Sequence, residues 1–167
     1  MVDFALPHLN QWIVWGYALL LLWAAISDVT SFTIPNRITL ALLLLYAAQW
    51  LTDPEPPELL IALVSAAIVL AVGAGLFAAG LMGGGDVKLL AVSTLWVGSH
   101  GVLVFLILTS VFGGLLGLLM LTPLGRRMPL PAGMSEGDFS RRTRRPMPYG
   151  AAIALGALIA GPALFVV

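Results

Sequence analysis

Two aspartates stand where an acidic side chain is hard to explain without chemistry. Asp86 closes the string Met82-Gly83-Gly84-Gly85-Asp86, and Val87-Lys88 follows; Asp86 and Lys88 are the only charges between positions 59 and 97. Asp28 ends the first hydrophobic run, and Ile34-Pro35-Asn36-Arg37 comes shortly after it. A charge at membrane depth costs several kcal/mol, so an ionisable residue there marks a functional site by default. Two carboxylates facing one cavity have a particular use. Like charges a few Å apart resist joint ionisation, so the pair shares one proton. The ionised member takes a proton from water while the protonated member donates to a scissile carbonyl oxygen. That is hydrolysis by the aspartyl-protease route, with no metal and no covalent intermediate. Gly83, Gly84 and Gly85 strip side chains from the backbone beside Asp86, which permits unusual dihedrals and leaves room for an extended substrate.

Other chemistries fit poorly. The chain has no cysteine, which excludes disulfides, cysteine zinc sites and thiol nucleophiles. The two histidines, His8 and His100, are expected on the side opposite the aspartates. Neither a metal in the cavity nor a histidine-activated Ser27, Ser31 or Ser93 is therefore expected, and no cofactor or nucleic-acid partner is anticipated. Simpler roles exist for each singled-out residue. Asp86 could be a helix N-cap, and Asp28 an interfacial residue at a span end. Lys88 and Arg37 are membrane anchors in the simplest reading; in the sharper one, either contacts an acidic substrate group or tunes the aspartates. Pro35 and Asn36 shape the start of the second span.

The elements that must position these residues follow from composition. The chain is 60% hydrophobic and only 10% charged over its 167 residues, with a mean hydropathy of +1.02. A soluble domain carries about a quarter charged residues. The sequence therefore predicts an all-α polytopic membrane protein, a single domain over 1–167 with the lipid bilayer as its solvent. Apolar runs cover about 9–26, 38–50, 59–81, 87–97, 102–124 and 149–167. The N-terminus lacks the positive region of a secretory signal, so the first run is expected to remain as a span. An acidic, proline-rich turn (52–58), a short turn at 98–101 and a polar loop (about 125–148) with most of the arginines separate the later runs.

The charges test this count. All eight Lys and Arg residues lie on or next to the connections after runs one, three and five. The positive-inside rule then places those connections in the cytoplasm and both termini outside. Asp28 and Asp86 fall at one depth on the cytoplasmic side. The fourth run, about eleven residues, rises only about 17 Å. Either its helix continues through Gly98–His100, or its start, with Asp86, lies below the membrane surface, where non-helical glycine backbone requires a wet, protein-lined cavity.

Gly83-Gly84-Gly85-Asp86 has the Gly-x-Gly-Asp form of the intramembrane aspartyl proteases. Its extension through Val87-Lys88-Leu89-Leu90-Ala91, together with Asp28 and Ile34-Pro35-Asn36-Arg37, resembles the type IV prepilin peptidase family. Pro148-Tyr149-Gly150-Ala151-Ala152-Ile153-Ala154 is similar to that family's final segment. The resemblance implies Asp28 and Asp86 as the catalytic pair, with a prepilin-like protein as substrate. Its short basic leader would be cut at the cytoplasmic face of the inner membrane, usually after a glycine. The resemblance is to the short, single-domain members linked to tight-adherence (Flp-type) pili or to archaeal preflagellin processing. Longer members carry a cysteine-containing domain and methylate the new N-terminus; without that domain, methyl transfer is not expected. The rival readings are a proton-coupled transporter or channel with an aspartate relay, and a non-enzymatic scaffold for pilus assembly.

Overall fold

A computed structural model describes residues 6–53, 59–122 and 147–161 of the chain. The acidic turn at 54–58, most of the arginine-rich loop and the side chains of His8 and His100 lie outside the described residues. Among the described residues all regular structure is helical: α1 (Leu6–Ser31), α2 (Asn36–Thr52), α3 (Leu59–Ala78), α4 (Gly84–Leu121) and α5 (Tyr149–Ala160). α4 is broken at Gly98, whose backbone (φ 71°, ψ 168°) is one that side-chain-bearing residues avoid.

The turn expected at 98–101 is thus a single-residue break, and packing shows that the chain reverses there. The limb before Gly98 runs along α2 in the same direction: Lys88 meets Asn36, and the Trp96 indole donates to the Leu42 carbonyl at 3.1 Å. It runs against α1, since Trp96 stacks on Tyr17 with ring centroids 4.4 Å apart while Asp86 shares a cavity with Asp28. α5 also runs against α1, with Gly150 at Asp28 and Ala157 at Tyr17. The limb after Gly98 runs against α5, its Gly113 beside Tyr149 and its Phe105 and Thr109 beside Gly156. α3 opposes the first limb of α4, with Gly73 at Val87 and Phe77 at Gly84. The six helical segments therefore alternate in direction. Asp28, Asp86 and the start of α5 gather at one end.

Helix ends differ from the hydropathy pattern for local reasons. α1 continues past Ile26 because short hydroxyls satisfy its last carbonyls: Thr30 donates to the Ile26 carbonyl at 2.7 Å and Ser31 to that of Ser27 at 2.6 Å. Asp28 consequently sits inside the last turn rather than beyond it. The chain leaves α1 through Phe32 in the left-handed region (φ 51°), its N–H donating to the Asp28 carbonyl at 2.9 Å. α3 stops at Ala78, before the expected 81, because Gly80 (φ 68°) closes it: the Leu81 N–H donates to the Leu76 carbonyl and the Gly80 N–H to that of Phe77, each at 2.9 Å. This pairing is the glycine-terminated Schellman stop. α4 begins at Gly84 rather than Val87.

The core is a file of apolar and aromatic side chains, Tyr17, Leu21, Ile38, Leu42, Leu89, Phe105 and Ile153 among them, shared by several helices. Large apolar side chains also cover the outside. Leu60 on α3 and Leu103 on α4 are 74% and 70% exposed. A surface as apolar as the interior is matched to hydrocarbon, not water. Gln11–Ser31, Leu59–Ala78 and Gly101–Leu121 are long and apolar enough to cross a membrane. This is a membrane protein.

Candidate active site

Two non-helical connections meet the first turn of α5 and enclose a cavity of about 590 Å³. Residues 32–34, leaving α1, form one wall, and residues 80–83, leaving α3, form another. Met147 and Tyr149 supply the third. Asp28 and Asp86 both line this space and are nearly buried, at 4% and 8% exposure. The topology has brought together two carboxylates that are far apart in sequence.

Backbone amides hold each of them. Gly150, in the first turn of α5, donates its N–H to Asp28 Oδ2 at 2.6 Å. Asp86 is not the N-cap of α4; Gly83 holds that place, and Asp86, three residues on, accepts the Gly83 N–H at 3.3 Å. This is the backward half of a capping box. Both carboxylates thus face the amino end of a helix, where exposed N–H groups and the helix dipole favour negative charge.

The three glycines serve close approach rather than rare dihedrals. Gly84 and Gly85 are helical, Gly83 is extended (φ −74°, ψ 146°), and the left-handed glycine is Gly80. A Cβ on Gly85 would stand 3.2 Å from Ile34 Cβ, and one on Gly83 would stand 2.8 Å from Asp86 Oδ2. Ile34 is the common neighbour: a Cβ on Gly150 would come within 2.6 Å of Ile34 Cδ1. That side chain is wedged between the glycine run of α4 and the first turn of α5.

The remaining residues singled out in the sequence lie outside the cavity lining. Lys88 Nζ donates to Asn36 Oδ1 at 3.0 Å, joining the starts of α2 and α4 at an exposed position. Pro35 is the N-cap of α2, and Arg37 is exposed on its first turn. Ser27 and Ser31 direct their hydroxyls to backbone carbonyls, and Ser93 is buried away from the cavity. Among the described residues no three His, Asp or Glu side chains converge as metal ligands. Sequence reasoning passed over Phe32, Gly80, Met82 and Met147 as cavity residues, and Gly150 as a donor. The left-handed Gly80 is one of several glycines in its stretch, and a backbone N–H leaves no mark on the residue type that bears it.

A profile of the type IV leader peptidase family matches residues 15–118, more than half of the chain. The chain belongs to the type IV leader peptidase family. The matched segment runs from within α1 to near the end of α4 and includes both aspartates and the whole glycine run. α5 and its Gly150 amide lie beyond it. Neither the comparison with curated proteins nor that with solved structures gave a match.

Proposed function

We propose that this leader peptidase is a six-span aspartyl endopeptidase of the inner membrane that removes the short basic leader of type IV or Flp-like prepilins. The observation that carries the reading is the shared cavity: two nearly buried carboxylates, each accepting a backbone N–H, line a space bounded by two non-helical segments. An extended peptide passes along Gly83–Gly85 with its scissile carbonyl between Asp28 and Asp86. One carboxylate takes a proton from water as the oxygen adds to the carbonyl carbon, and the other gives its proton to the carbonyl oxygen. The tetrahedral diol then collapses. Its C–N bond breaks, the amine nitrogen takes a proton, and one proton again lies between the two carboxyls.

Cleavage belongs to the cytoplasmic face. Exposed Arg37 and Lys88 lie at the cavity end of the bundle. Thr122 and Met147, which flank the arginine-rich loop, are attached there too, since Gly117 packs beside Met147. Cations on one side of a bundle set that side inward. Both termini then face outward.

The test is incubation of the purified protein in lipid with candidate prepilins, followed by mass analysis of the new N-terminus. A free N-terminus without an added methyl group is expected. Asp28→Asn and Asp86→Asn should each lower cleavage by at least about a hundredfold, the scale of a lost general acid or base, while the protein still accumulates in the membrane. Near-normal cleavage by either variant rules out the paired mechanism.

A further inference from the structure

The first turn of α5 touches the site through a backbone atom, and nothing in the aspartate chemistry itself calls for it. The Gly150 N–H reaches Asp28 Oδ2 at 2.6 Å across 122 positions of sequence, and the contact is buried. That is a close approach for an amide donor. The space around it is equally restrictive. A Cβ at position 150 would lie 2.9 Å from Asp28 Oδ2 and 3.0 Å from its Cγ. Both distances are far inside ordinary contact, so the carboxylate would have to rotate or retreat, and the hydrogen bond would lengthen with it. The amide that fixes Asp28 and the missing side chain that lets Asp28 approach belong to the same residue.

We propose that Gly150 is a positioning residue: its N–H sets the orientation of the Asp28 carboxylate, and glycine is required there because any side chain displaces the group being positioned. The proposal rests on the peptidase reading of the cavity. It extends the site to an element beyond the segment matched by the family. The neighbouring Ala151 amide also faces the Asp28 carboxylate, so consecutive N–H groups at the start of α5 hold it, with Gly150 the larger contributor. Misplacement of a reacting group by about 1 Å is enough to lose about a hundredfold in rate.

Two contacts must be separated, because a Cβ on Gly150 also strikes Ile34 Cδ1. Ile34→Val deletes that methyl group and leaves the Asp28 contact in place. Prepilin cleavage is therefore measured for wild type, Ile34→Val, Gly150→Ala and the double variant. The expected result is a loss of about a hundredfold in kcat when Gly150→Ala is introduced into either background, with KM little changed. Recovery of the double variant to the rate of Ile34→Val alone, or a loss confined to KM, overturns the proposal. Failure of the wild-type protein to cleave any prepilin strikes the proposed function instead.

A second measurement does not need activity or an altered glycine. Tyr149-Gly150 is the only Tyr-Gly step in the sequence, so carbonyl-13C tyrosine with 15N glycine isolates a single amide in an NMR spectrum. In the full-length protein that proton should resonate downfield and move upfield in Asp28→Ala. An amide signal indifferent to Asp28 overturns the hydrogen bond and the proposal with it.

Discussion

Asp86 takes its nearest amide partner from three residues away, while Asp28 takes its own from another helix; the Gly150 amide acts on both carboxylates. Both stood out in the sequence because a carboxylate in an apolar run has to be explained. The partner of Asp28 was not legible, because Gly150 is one small residue within an apolar segment. Phe32 shows the same limit from the other side. It occupies a left-handed position (φ 51°) that usually falls to glycine, and its residue type gives no hint of this. Such a conformation in a bulky residue costs about 1–3 kcal/mol and is retained when its surroundings or its use demand it. Here the demand is the cavity wall that Phe32 helps to form beside Asp28. Phe32→Gly should therefore raise stability by about 1 kcal/mol, read from unfolding in mixed detergent micelles, while weakening cleavage. Loss of stability would show that the left-handed turn carries no strain.

At the scale of helices, the number of apolar runs was readable and their ends were not. Hydropathy cannot see Thr30 and Ser31 bonding back to the preceding turn, so α1 outlasts its apolar run by five residues and carries Asp28 inside a rigid helix. Nor does it see which glycine stops α3. The reversal at Gly98 was expected as a four-residue turn; the break is confined to one residue because its torsion angles are open to glycine alone. Gly98→Ala should cost about 1–3 kcal/mol in unfolding free energy. Gly75→Ala is the counterpart within a helix: a Cβ there meets nothing within 4 Å, and the exchange should stabilise by about 0.5 kcal/mol. Equal effects at the two positions would mean that the Gly98 torsions are not what turns the chain.

Across the whole molecule, alternating helix directions place the cavity, Arg37 and Lys88 at one end and the break at Gly98 at the other. The sequence anticipated this division through its charges, since cations cluster on alternate connections. It gave no measure of the space between the aspartates, which depends on how closely Ile34, Gly85 and Gly150 approach. The absence of cysteine makes the orientation directly measurable, because any introduced thiol is alone. Arg37→Cys, exposed at the cavity end, should react with an impermeant maleimide only from the cytoplasmic side. Leu51→Cys, on a residue 75% exposed at the far end of α2, should react only from outside. The reverse pattern would invert the topology. The Gly150–Asp28 bond also has a consequence in time. The ribosome delivers Asp28 early and Gly150 late, after α1 to α4 have been made. A nascent chain holds both aspartates long before it holds the amide that orients one of them. Membrane insertion therefore begins with both aspartates in the chain and the Gly150 amide that meets Asp28 still to come.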